Sequence, residues 1–196
     1  MNYPKAYIEY LIQFHATRDY FECHELLEEY WKEHPEDPLA QLWVCMIQIA
    51  VGQYHERRGQ RRGARLMYKG ALAKLAQHNS ASLGLVHDEL VEILEARVDA
   101  CRSYDEYEDI LLPFSDNGLL ALCREQAVAR DLTWQLSSNE LSEDIIYRHT
   151  RRDRSEVIAA REAALQLRHQ QAELAAQDMT KDKEAVEGNE KKADRI

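Results

Sequence analysis

The segment Tyr20–Trp31, YFECHELLEEYW, carries a histidine and a glutamate four residues apart, His24 and Glu28. On a helix this spacing sets an imidazole beside a carboxylate, a pair able to ligate a divalent metal or hydrogen-bond a polar ligand. With His24 at zero and about 100° per residue, Tyr20, Leu27 and Trp31 fall about 20–60° to one side and Phe21 about 60° to the other. Glu28 lies at about 40°, between His24 and Phe21, whereas Glu22, Glu25, Glu29, Lys32 and Glu33 fill a separate sector at about 80–180°. His24 therefore sits on the apolar side and Glu28 at its edge. HELLE is a poor match to the zincin HExxH motif, because position 28 is Glu and Glu25 points about 100° away from His24.

A second helix supplies further polar groups. Leu42–Val51, LWVCMIQIAV, is apolar around nearly its whole circumference, as a central helix should be. Gln41, Gln48 and His55 recur every seventh residue and form one polar stripe along it. A hairpin closed by HPEDP sets Gln48 level with His24, and Val44 level with Glu28. His55 then falls about two turns away, nearer His15 and Thr17. Buried polar groups require partners, so the two helices are expected to turn these side chains toward each other.

Three chemistries fit this group. It can be a satisfied hydrogen-bond network that fixes helix register. It can be a pocket in which His24, Glu28, Trp31, Gln48, Tyr54 and His55 hold a small polar ligand or a partner segment. It can also be a divalent-metal centre of His24 and Glu28 with His55, or failing that His15, as third ligand, where the metal acidifies water for hydrolysis.

The elements that must position these residues are helical. Seven glycines and four prolines in 196 residues are too few for a chain of many short strands. Apolar spacing predicts helices over 4–15, 20–33, 38–58, 63–77, 85–101 and 119–130. Asp19, followed three residues later by Glu22, is expected to cap the second helix, and Asp37 before Pro38 to start the third. Pro113 and Asn117-Gly118 interrupt regular structure between the fifth and sixth. The expectation is an all-α bundle of five to six helices over residues 3–150. A charged helical extension from about Ser155 and a disordered tail follow within 151–196.

A net charge of −10 argues against sequence-independent nucleic-acid binding. The exception is Arg57, Arg58, Arg61, Arg62 and Arg65, a cluster suited to phosphate or RNA. Four scattered cysteines without a CxxC pair suit a reducing compartment. The N-terminal MNYPKAYIEYLIQFH lacks an uninterrupted apolar stretch, and no run reaches the roughly 20 residues of a membrane span, so a cytoplasmic location is expected. Walker, GxGxxG, GxSxG and paired-cysteine zinc patterns do not occur.

DYFECHELLEEYW, with its His24-x3-Glu28-x2-Trp31 spacing, resembles the bacterial and archaeal family known as the domain of unknown function 309. QIAVGQYHERRG, Gln48 to Gly59, resembles the family's second characteristic helix and its end. The likeness covers roughly residues 3–80, and LPFSDNGLLALC and DRSEVI resemble the longer form of the family. It implies a compact helical bundle and carries the family's inferred label of metal-dependent hydrolase.

Overall fold

The computed structural model describes residues 3–147. The chain divides into two units, Met1–Arg151 and Arg152–Ile196. The charged helix expected from Ser155 and the tail after it lie outside the described residues. Within those residues the architecture is all-α, with helices α1 (Lys5–Ile12), α2 (Tyr20–Glu33), α3 (Ala40–Arg57), α4 (Arg61–Leu75), α5 (His87–Ser103), α6 (Asn117–Ala129) and the single turn α7 (Glu143–Ile146). There is no strand among the described residues, only an isolated bridge between Leu85 and Phe114. No helix among them is long and apolar enough to cross a membrane.

Local chemistry accounts for most boundaries. Asp19 accepts a hydrogen bond from the Glu22 amide and caps α2, after Arg18 turns the chain in the left-handed region at φ 54°. Asp37 organises the entry to α3 without being its terminal cap. It accepts from the Leu39 amide at 2.8 Å, from Trp43 Nε1 at 2.9 Å and from the Tyr30 hydroxyl at 3.2 Å, and the helix begins at Ala40. Asp116 accepts from the Gly118 and Leu119 amides and starts α6. The first helix does not run uniformly to His15. It widens into a π-helical turn over Gln13–Thr17, where the Thr17 hydroxyl donates back to the Gln13 carbonyl.

Helix α3 is the central rod, packed between α2 and α4, while α5 covers α4 and α1 lies against α2 and α6. Its buried side chains, among them Leu42, Trp43, Met46 and Ile49, point to several sides, as its apolar circumference requires. α3 and α4 approach closely at two glycines. A Cβ on Gly52 would meet the Tyr68 ring at 2.3 Å, and one on Gly70 would meet the Gln48 amide at 2.6 Å. The four cysteines are free and buried, each a small apolar filler, and burial pushes the Cys45 and Cys123 thiols up to about 12.

His15 is buried in an aromatic nest. It stacks on Trp134 at 4.9 Å and meets Phe14 and Phe114 at 5.4 and 5.5 Å, with no partner for either ring nitrogen. Burial, helped by the charges of Arg18 and Arg124, pulls its pKa from 6.5 to about 3. Between these values the unfolded chain binds a proton that the folded chain refuses, so stability is complete above pH 6.5 and falls as pH drops toward 3. The loss is about 1.4 kcal/mol per pH unit across that window.

Two predictions follow from this packing. His15→Phe should flatten the decline of melting temperature between pH 6.5 and 4 relative to wild type; parallel curves would contradict the buried neutral imidazole. Gly52→Ala should cost about 1–3 kcal/mol in urea denaturation, because the Tyr68 ring is held by hydrogen bonds and cannot swing aside.

Candidate functional site

The face of α2 that carries His24 meets the C-terminal half of α3 and the α3–α4 turn around a cavity of about 400 Å³. α2 contributes Tyr20, Phe21 and His24 to its lining, α3 contributes Val51, Tyr54 and His55, and the turn adds Arg58 and Gln60. A second cavity of about 410 Å³ lies between α4 and α5, lined by Leu72, Leu75, Val91 and the carboxylates Asp88, Glu92 and Glu95. The first combines aromatic walls with convergent polar groups, the usual composition of a small-molecule site.

His24 is partly buried, and its Nε2 lies 3.2 Å from Glu28 Oε2. Lys32 Nζ approaches the other Glu28 oxygen at 2.8 Å. The Lys32 hydrogen bond, joined by His24, holds the Glu28 carboxyl below its ordinary range against the opposing effect of burial. Glu28 therefore stands behind His24, outside the cavity lining, and both its oxygens are engaged. His55 Nδ1 lies 2.6 Å from Gln60 Oε1. The Gln60 amide thereby holds the His55 ring through Nδ1 and leaves Nε2 outside that bond.

The structure thus brings His24, Tyr54 and His55 to one cavity, but it places the other expected residues differently. Trp31 packs against the core, away from the lining. Gln48 turns from α2 toward α4, its amide against Gly70 and its buried Oε1 without a partner. Two turns further along the stripe, a Cβ on Gly63 of α4 would stand 3.4 Å from the His55 ring. The physical reason is room: Gly63 and Gly70, seven apart on α4, make space for His55 and Gln48, seven apart on α3. A central helix has two neighbours, and the polar stripe follows the one that offers space. Among the described residues no group of three or more His, Cys, Asp or Glu side chains converges to hold a metal ion. His24, Glu28 and His55 accordingly do not assemble as the expected metal centre, and His15 is shut in its aromatic nest.

The polar seam between α2 and α3 is centred on Gln53. Its Oε1 accepts from the Ile110 amide at 2.8 Å and lies 3.1 Å from the hydroxyls of both Tyr20 and Tyr107. Its Nε2 donates to the Tyr68 hydroxyl at 2.8 Å and the Glu108 carbonyl at 3.3 Å. Tyr68 donates onward to Glu56, which is buried in an ion pair with Arg97 of α5. At the opposite end Asp109 receives Tyr20, Tyr107 and Ser138. Burial raises the Asp109 carboxyl, yet hydrogen bonds from Ser138 and Tyr107 and the charge of Arg18 outweigh it and keep it below its ordinary range. Gln53 and Glu56 were the residues to find in the sequence. Both are long polar side chains in the last turns of an otherwise apolar helix, and Gln53 comes level with Tyr20 in the same hairpin register that sets Gln48 level with His24.

The arginine cluster is largely drawn into the protein. Arg57 donates to the Arg18 carbonyl at 2.8 Å and lies 4.8 Å above the Tyr20 ring. Arg61 donates to the Asp105 carbonyl and covers Tyr104. Arg58 donates to the Tyr54 hydroxyl at 3.0 Å, with its guanidinium over the Tyr54 ring at 5.0 Å and over Tyr147 at 5.3 Å. Arg62 is exposed.

These positions separate seam from site. Gln53→Leu, of similar size, leaves the Ile110 amide and three tyrosine hydroxyls short of a partner, so it should cost about 3 kcal/mol or more in equilibrium denaturation. His24→Ala removes a half-exposed ion pair and should cost under about 1 kcal/mol. The reverse ranking would contradict the assignment of Gln53 as the structural hub.

Residues 7–67, which span α1 to the first half of α4, match the family described as Domain of unknown function (DUF309). The chain is similar to the "Uncharacterized protein YpuF" of Bacillus subtilis (strain 168), with 43% identity over 168 residues that cover 85% of this chain and 97% of that protein. No solved structure matches. On this likeness the chain belongs to the family of the domain of unknown function 309.

Proposed function

We propose that this protein binds a small molecule in the cavity between α2 and α3. One observation carries the reading: a cavity of about 400 Å³, within the size range of small-ligand sites, whose aromatic and aliphatic walls bear His24, His55, Arg58 and Gln60. Most of its walls stand on two packed helices, and the turn residues Arg58 and Gln60 are tied to Tyr54 and His55 of α3, so the polar groups are held in place before a ligand arrives. Tyr20 anchors the back wall through the Gln53 and Asp109 network, and Tyr54 is nearly fully buried beside it.

His24 and His55 each offer one imidazole to a ligand. Glu28, supported by Lys32, orients His24 from behind, as a carboxylate commonly orients a working histidine. The role is recognition: the imidazoles and Gln60 exchange hydrogen bonds with a polar group while Phe21, Val51 and Tyr54 enclose an apolar body.

Val51→Trp tests the reading, since the larger side chain fills the cavity from the α3 wall. Fragments that bind the wild-type chain in ligand-observed saturation-transfer NMR should lose their signal in the variant, with its melting temperature within a few degrees of wild type. Fragments that bind both proteins alike would contradict the cavity as the site.

A further inference from the structure

We infer that the ligand of this cavity is a small organic anion, a carboxylate on a flat apolar body, with Arg58 as its counter-ion. The inference rests on the reading of the cavity as a binding site and adds the ligand's charge and shape. The lining includes one full cation, Arg58, two imidazoles and no carboxylate, in a chain whose net charge is −10. A positive group on the wall of a cavity in an acidic protein is an arrangement that selects against cations and for an anion.

Arg58 is also pre-set to receive one. The Tyr54 ring, 5.0 Å from the guanidinium carbon, and the Tyr147 ring, 5.3 Å from it, hold the group in place, and Nη1 is spent on the Tyr54 hydroxyl. Nε is buried without a hydrogen-bond partner. Nε is closed off from the cavity, and Nη2 carries the N–H donors left to meet a carboxylate oxygen, with the full charge of the guanidinium behind them.

The opposite walls specify the rest of the ligand. Phe21 and Tyr54 stand 6.4 Å apart in a tilted pair, with Val51 completing an apolar enclosure. Such walls suit a planar ring more than a sugar or a branched polyol. His55 Nε2, outside the Gln60 bond, can exchange a hydrogen bond with a polar group on that body.

Matched triplets of aromatic carboxylate, carboxamide and amine, built on phenyl and indole bodies, test this by titration calorimetry with the full 196-residue chain. The carboxylates should bind about tenfold or more tighter than their amides, and the amines not at all. Arg58→Gln should bring carboxylate and amide to equal affinity, while Arg62→Gln, on an exposed arginine outside the lining, should leave the preference intact. Should Arg58→Gln fail to fold, Tyr147→Leu, which removes one stacking ring and keeps the cation, should weaken carboxylate binding several-fold and amide binding little. Equal affinity of amide and carboxylate in the wild-type chain, or a preference for amines, overturns the anion assignment and leaves the cavity as a site. Absence of binding by every member of the triplets overturns the anion assignment and the cavity reading together.

Discussion

A single amide, that of Gln53, holds the interior of this bundle together. Buried polar groups must find partners or destabilise the fold, and Gln53 sits at zero exposure in the last turns of an apolar helix. It meets its requirement with groups from three separate places: Tyr20 on α2, Tyr68 on α4, and the backbone of residues 108–110 in the long segment between α5 and α6. Each bond fixes a neighbour of α3 in both height and rotation. Apolar packing alone tolerates sliding and repacking, whereas a hydrogen-bonded amide accepts one register. Through Tyr68 the constraint passes to the Glu56–Arg97 pair, and through Tyr20 to Asp109, so one polar chain ties α2, α3, α4 and α5 to the segment that precedes α6.

The cavity is a consequence of that constraint. Tyr20 is held at one end of the hairpin by Gln53 and Asp109, and Val51 and Tyr54 flank Gln53 on α3, so the wall of the site and the hub of the core are the same few turns of helix. Polar groups within the hub are mutually satisfied and available to nothing else. Those at the cavity are different in kind: His24 is oriented by a carboxylate behind it, His55 keeps one nitrogen free of the Gln60 bond, and Arg58 keeps Nη2 outside the Tyr54 bond. Core network and cavity lining are thereby divided between two sets of residues that touch at Tyr20 and Tyr54.

Much of this was legible in the sequence, and the failures have a common cause. Periodicity located six helices, Asp19 its cap, and the hairpin register that brings Tyr20 level with Gln53. Of the polar residues singled out on α2 and α3, His24, Tyr54 and His55 line one cavity. Rotation of α3 was the missing quantity. Its apolar circumference gives no preferred side, so spacing sets Gln48 toward α2, whereas Gly70 of α4 offers the room that admits it, and His55 lies between the cavity and Gly63. The heptad match between the two glycines and the two polar residues was the available signal. Glu56 and Arg97 lie 41 residues apart, and their pairing depends on the packing of α5 over α4, which local spacing does not encode. The charge of the basic cluster was visible, but not the carbonyls and tyrosine rings that Arg57, Arg58 and Arg61 meet.

Backbone chemical-shift mapping of the isotope-labelled chain during titration with a bound small molecule tests the central claim most directly. The account requires the largest amide shifts to gather on the adjoining turns of α2, α3 and the α3–α4 turn, around Phe21, His24, Val51, Tyr54 and Arg58. Shifts concentrated instead at the α4–α5 groove around Val91 and Glu92, or spread evenly over the surface, would contradict it.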